Sequence, residues 1–255
     1  MPLEIVTVPC LSDNYAFLAH DPQTGQTAVI DAPEADPIIA ALDARGWQAD
    51  IVLITHHHWD HVEGLADICA RFGSQVVGAR SDAHRLPDLD IALDEGDTVQ
   101  IGAQTGTVID VSGHTVGHIA YHCPESAAVF TADSLMALGC GRVFEGTLEM
   151  MWSSLSKLAA LPADTTVYSG HEYTEANARF AKTVDPDNPD LARRIADITH
   201  ARAQGKATVP SSLKLELATN PFLRASDPGI RDHLGMKDAT DEEVFAEVRG
   251  RKDRF

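Results

Sequence analysis

The chain has 255 residues, 44% of them hydrophobic, with 20 Lys and Arg against 38 Asp and Glu, a formal net charge of −18. So acidic a balance argues against a nucleic-acid partner, whose phosphates are neutralised by Lys and Arg. No apolar run is long enough to span a bilayer, and the N-terminus lacks the basic-then-apolar layout of a secretory signal. Four cysteines (Cys10, Cys69, Cys123, Cys140) show no C-x-x-C pairing, so free thiols in a reducing cytoplasm are expected rather than a structural zinc.

In chain order, a β-rich start runs through Ala28-Val29-Ile30-Asp31, and a helix is expected near residues 37–45. The short β-branched run Ile51-Val52-Leu53-Ile54 reads as a buried strand. It empties into Thr55-His56-His57-His58-Trp59-Asp60-His61, three adjacent imidazoles followed by a carboxylate and a fourth. Ligands in α/β architectures bind outside the carboxyl ends of strands, so a metal centre is the first hypothesis. On an extended segment His56 and His58 share a face and His57 points away, with roughly 6–7 Å between alternate residues. His57 is therefore expected to be a hydrogen-bonding neighbour. Asp60 and His61 fall past the bend, where a helix is expected to continue to about Phe72, and aim at a second point.

A local cluster cannot complete two coordination shells, since a catalytic zinc takes about three protein ligands. Strands expected between Val99 and Thr131 and near Val167 supply three distant candidates. They end in Gly113-His114, in Asp133 after Ala128-Val129-Phe130-Thr131-Ala132, and in Gly170-His171. A glycine before each histidine lets the backbone approach an ion closely. Residues 115–122 read as a strand; four residues along a strand cover roughly 13 Å, so His114, His118 and His122 cannot share one site. His118 is expected either to support the site or to be structural, and His20, His84, His122, His200 and His233 to be ordinary.

A helix is expected over residues 153–161. After His171 the pattern turns helical: residues 175–183, a breaker at Asp185-Pro186-Asp187-Asn188-Pro189, residues 191–204, and 241–248 with Thr240 as N-cap. Residues 1–171 carry 6 Lys and Arg against 23 Asp and Glu, whereas residues 172–255 carry 14 against 15. Positive charge for an anionic ligand therefore lies mainly in the second segment.

Taken together, Thr-His-x-His-x-Asp-His, Gly-His114-Thr, Thr-Ala-Asp133-Ser and Gly-His171-Glu-Tyr resemble the metallo-β-lactamase superfamily. Residues 140–147 (Cys-Gly-Arg-Val-Phe-Glu-Gly-Thr), Asn220-Pro221-Phe222-Leu223-Arg224 and Arg249-Gly250-Arg251-Lys252-Asp253 narrow the resemblance to glyoxalase II, the hydroxyacylglutathione hydrolases. It runs from about Val6 to Phe255. The resemblance implies an α+β fold: a metallo-β-lactamase-like αβ/βα four-layer sandwich over residues 1–172, then a smaller, mainly helical substrate-binding domain over 173–255.

It also implies His56, His58 and His114 on one metal and Asp60, His61 and His171 on another. Asp133 would lie between them, with Asp60 and Asp133 the catalytic carboxylates. The ions would be zinc, with iron or manganese as alternatives, and such ions lower the pKa of a water toward about 7. The implied reaction is hydrolysis of S-(2-hydroxyacyl)glutathione, naturally S-D-lactoylglutathione from methylglyoxal detoxification, by a cytoplasmic monomer with no membrane or nucleic-acid partner. Arg142, Tyr173, Arg249 and Lys252 would bind the substrate. At Phe144 the chain departs from relatives that carry a tyrosine there. The alternatives are a mononuclear iron enzyme resembling persulfide dioxygenases, another hydrolase of the same fold, or a non-catalytic metal-binding protein.

Overall fold

Six strands make the first sheet in sequence order: β1 (Glu4–Cys10), β2 (Asn14–His20), β3 (Thr27–Ile30), β4 (Ile51–Leu53), β5 (Gln75–Ala79) and β6 (Ile91–Leu93). The first three pair antiparallel and the rest parallel. Parallel neighbours need a crossover, supplied by α1 (Ala35–Asp43) between β3 and β4, and by α2 (Trp59–Val62) with α3 (Leu65–Phe72) between β4 and β5. Every residue of β2, β3 and β4 is buried, as a sheet covered on both faces requires. Alternation divides the strands. Ala16, Leu18, Val29 and Val52 pack with Ile38 and Leu42 of α1 and with Leu65 and Ile68 of α3. Phe17 points the other way and meets Phe130 at 5.8 Å between ring centroids.

Phe130 belongs to an antiparallel meander of β7 (Thr98–Ile101), β8 (Gln104–Asp110), β9 (Ile119–Cys123) and β10 (Ala128–Ala132). Tyr121 of β9 is fully buried and donates its hydroxyl to the Ile54 carbonyl at 2.9 Å. The two sheets therefore pack face to face, with a helix layer on the outer face of the first.

The computed structural model describes all 255 residues and divides into two compact units, residues 1–110 with 116–132 and residues 111–115 with 133–255. The second unit holds the hairpin β11 (Leu135–Met136) and β12 (Gly139–Cys140), the antiparallel pair β13 (Thr166–Ser169) and β14 (Ser211–Ser212), and six helices. These are α4 (Leu148–Ala159), α5 (Thr174–Val184), α6 (Pro189–Ala203), α7 (Leu213–Thr219), α8 (Pro228–Leu234) and α9 (Asp241–Arg254). Buried Phe222 stands between Phe180 at 5.9 Å and Phe245 at 6.3 Å, and Phe245 packs on Trp152 of α4 at 5.5 Å. This is the expected α+β class with a helical C-terminal part.

Three local expectations are corrected. Residues 115–118 are not strand: Gly117 turns at φ +93°, packed so closely on Asp82 that a Cβ would lie 2.8 Å from it, and β9 starts only at Ile119. The helix expected from residue 153 begins at Leu148, because the Thr147 hydroxyl caps it by accepting from Met150 N at 3.1 Å. The helix expected to stop at 248 continues to Arg254, so Arg249 and Lys252 are helical. Its N-cap, Thr240, is as expected, with Glu243 completing a capping box.

Candidate metal centre

The first unit carries four of the expected ligands and positions two of them, His56 and His61, through one buried carboxylate. Just past β3, Asp31 adopts φ +57° and turns its side chain under the loop that follows β4. Its Oδ1 accepts from Thr55 N, and its Oδ2 from the Thr55 hydroxyl and His61 Nδ1, each at 2.8 Å. The Thr55 hydroxyl has one proton, which goes to Asp31. At 3.0 Å from His56 Nδ1 it must therefore accept. Both His56 and His61 are thus fixed with Nδ1 protonated, leaving the Nε2 lone pair of each to face a ligand. His56 Nε2 comes within 3.1 Å of His58 Nδ1.

Asp60 is steadied by Asn14, whose Nδ2 donates to its Oδ2 at 3.1 Å and to its backbone carbonyl at 3.0 Å. That Oδ2 lies 4.0 Å from His61 Nε2. Ligand atoms of Asp31, His56 and His61 all lie within 4.8 Å of one another. The Asp31 oxygens are already taken by Thr55 and His61, so its role is to orient ligands. His57 does turn aside, its Nδ1 2.9 Å from buried Asp82. His118 is fully buried and stacks on His56, centroids 4.5 Å apart and planes 12° apart.

The second unit brings together His114, Asp133 and His171, each at most 5% exposed. Gly113 before His114 has φ +150°, and a Cβ there would lie 2.8 Å from the Met151 backbone of α4, so only glycine fits. Ser154 of α4 fixes the same turn by donating to Ser112 O at 2.7 Å. His114 Nδ1 donates to the Arg142 carbonyl at 2.7 Å. Its Nε2 faces Asp133 Oδ2 at 3.4 Å, and His171 Nε2 faces the same oxygen at 3.2 Å. Gly141 lies so close beneath that a Cβ would meet Asp133 O at 1.9 Å.

Both sets suit a divalent metal: imidazoles, with the tautomers of His56, His61 and His114 fixed by outer partners, and carboxylates beside them. No cysteine joins either set. Burial pushes the Cys10 and Cys123 thiols up to about 12. It raises Cys140 too, although Arg249 draws that thiol back.

The expected substrate residues also fall in the second unit. Tyr173 stacks on His171, planes 8° apart at 4.6 Å, and is 40% exposed. Arg142 is exposed, lies 5.4 Å over the Phe144 ring and 3.8 Å from Asp253. Lys252 sits over Phe180 and Phe255, and its ammonium is held below the usual lysine range by burial, then by Arg249 and Arg179. Arg249 is the most deeply buried of the three expected cations. It is 4% exposed, and its guanidinium donates to Cys140 O and to Asp253, both at 2.9 Å. A cavity of about 560 Å³ beside α6, lined by Arg194, Ile198, Thr208 and Pro210 among others, includes none of these residues.

Sequence reasoning missed Asp31, Asn14 and Asp82. Asp31 carried a usable signal: like Asp133, it is a lone carboxylate ending an apolar strand.

Residues 14–171 match the metallo-beta-lactamase superfamily, and residues 172–255 match the hydroxyacylglutathione hydrolase C-terminus family. The hydroxyacylglutathione hydrolase of Ruegeria pomeroyi is 65% identical over 255 residues, covering 100% of both chains. That of Roseobacter denitrificans is also 65% identical, again with 100% of both covered. Among solved structures, a di-iron-bound form of the protein TTHA1623 is similar, with a TM-score of 0.62 at 23% identity over 86% of this chain and 100% of its own.

Proposed function

This chain belongs to the hydroxyacylglutathione hydrolase family, and from that membership we propose that its two ligand sets close around a pair of divalent metal ions. The reaction is hydrolysis of an S-(2-hydroxyacyl)glutathione thioester. We read S-D-lactoylglutathione as the natural substrate, with glutathione and D-lactate as products in methylglyoxal detoxification. His56, His58 and His114 would hold one ion, Asp60, His61 and His171 the other, and Asp133 both. Zinc is our first choice, although His and carboxylate ligands also accept iron or manganese.

When bound, such ions supply an activated water at neutral pH and polarise the thioester carbonyl. The remaining work falls to side chains. Asp31 holds protons on His61 Nδ1 and, through Thr55, on His56 Nδ1, so neither ring can present the wrong nitrogen. Asp60 and Asp133 bring negative charge to a set otherwise of neutral imidazoles, and their oxygens can accept a hydrogen bond from the attacking water. Tyr173, Arg142 and Lys252 offer a hydroxyl and two cations to the anionic glutathione moiety. Arg249 adds positive charge while its head group stays tied to Cys140 O. Phe144 offers no hydroxyl, only an apolar face beside His114.

We assign residues 1–172 to catalysis and 173–255 to substrate binding. No helix is long and apolar enough to cross a membrane. A cytoplasmic location is our reading, resting on its unpaired cysteines and their redox logic.

The Asp31–Thr55–His56 and Asp31–His61 hydrogen bonds carry the proposal, because they dictate which nitrogen each ring presents. Element analysis of protein stripped by chelator and reloaded tests it. Two ions per chain with thioesterase activity are expected; one iron per chain with oxygen uptake on glutathione persulfide would overturn it.

A further inference from the structure

The hairpin of β11 and β12 connects two parts of the site. Asp133 lies two residues before β11, and Gly141 and Arg142 follow β12. Gly141 N donates to Ser134 O at 3.0 Å, drawing the two arms together. The His114 ring is oriented by the carbonyl of Arg142. Any shift in this hairpin therefore moves both Asp133 and the acceptor that sets the His114 tautomer.

The hairpin tip cannot satisfy its own backbone. Leu138 has φ +55° and is fully buried, so its neighbouring peptide groups are out of reach of water. Buried peptide groups need partners, and here side chains supply them. Asn220 Nδ2 donates to Met136 O at 3.1 Å and Gly139 O at 3.0 Å. Asn177 Nδ2 donates to Ala137 O at 3.1 Å, and Glu216 Oε2 accepts from Leu138 N at 2.9 Å. Glu216 is fully buried and held in turn by Arg194, Ser211 and Asn220. Apart from Ser211 of β14, these side chains come from α5–α7 and the loop after α7.

We propose that Asn220, Asn177 and Glu216 are positioning residues for the reaction, a clamp by which the C-terminal helices set Asp133 and the Arg142 carbonyl. The inference rests on reading His114 and Asp133 as metal ligands. The clamp acts on metal geometry and turnover, whereas Arg142 and Lys252 act on the glutathione moiety.

Asn220→Ser keeps a cap acceptor for Phe222 N and loses the donations to Met136, Gly139 and Glu216. Asn177→Ala loses only the bond to Ala137. Asn188→Ser is the matched control. It keeps the α6 cap acceptor and loses donations to Asp185 and Ala218, touching nothing in the hairpin. The full chain is loaded with cobalt(II), and its visible absorption, its cobalt affinity against a chelator, and kcat and KM on S-D-lactoylglutathione are recorded. Asn220→Ser and Asn177→Ala should change the cobalt spectrum and weaken cobalt binding about 10-fold or more, as loss of outer support does. Their kcat should fall while KM stays within about twofold, the pattern of lost transition-state interactions. Asn188→Ser should keep the wild-type spectrum and kcat.

Wild-type spectra and affinities in both hairpin variants, even with lowered melting temperatures, would overturn the inference. Should Asn220→Ser fail to fold, Asn177→Ala decides alone. A wild-type chain that binds no cobalt would overturn the ligand assignment and this inference with it.

Discussion

His61 Nδ1 donates to Asp31 Oδ2 across 2.8 Å, both groups out of contact with water. The same oxygen accepts from Thr55, which accepts from His56, so one carboxylate sets two rings. Asp31→Asn would keep the size and lose the charge, and its amide NH₂ would confront donors. Metal affinity should fall about 10–100-fold, the usual effect of removing an outer partner of a ligating histidine. Chelator competition measures this, and unchanged affinity would remove Asp31 from the account.

Thiol chemistry should be confined to one position. Cys10, Cys123 and Cys140 are buried with raised thiol pKa, and Cys69 is only partly covered. Because the thiolate is the reactive form, the folded chain at neutral pH should react slowly, and first at Cys69. Peptide mapping after alkylation checks this; early modification of Cys140 would contradict it.

The capping box of α9 is a stability element. Thr240→Ala should cost about 1 kcal/mol of unfolding free energy, measured by urea denaturation. Hydrogen bonds from the Thr240 backbone and hydroxyl hold the Glu243 carboxyl below its usual range. A carboxyl lowered in the folded state adds stability above its unfolded pKa and loses it as pH falls through the folded one. The gap between wild type and Thr240→Ala should therefore narrow in acid, and a gap constant down to strong acid would contradict the cap.

Lys252 tests the substrate reading by pH. Burial and neighbouring arginines hold its ammonium below the usual lysine range, so its charge is lost at lower pH than an ordinary lysine's. KM should rise with alkaline pH earlier in wild type than in Lys252→Arg, whose guanidinium stays charged. Superimposable KM profiles would place Lys252 outside the binding site.

Much of this was legible because ligand chemistry leaves a local trace. His56, His58, Asp60 and His61 follow a strand of three residues, Asp133 and His171 come just past β10 and β13, and His114 lies in the loop after β8. Asp31 was less legible because its role depends on β3 and β4 lying side by side, a pairing that local pattern does not encode. The Asn220 and Glu216 contacts to the hairpin span about eighty residues of sequence, as the Asn220–Met136 separation of 84 shows. The burial of Arg249 was not legible because the helix carrying it was expected to stop at Val248; one more turn brings its guanidinium over the Phe222 ring.

The most direct test mixes metal-replete protein with S-D-lactoylglutathione and follows loss of thioester absorbance together with thiol release, beside the variant His58→Ala. Stoichiometric thiol release by the wild type, abolished in His58→Ala, is the predicted result. A metal-replete wild type without turnover, or a His58→Ala variant of unchanged activity, would contradict it.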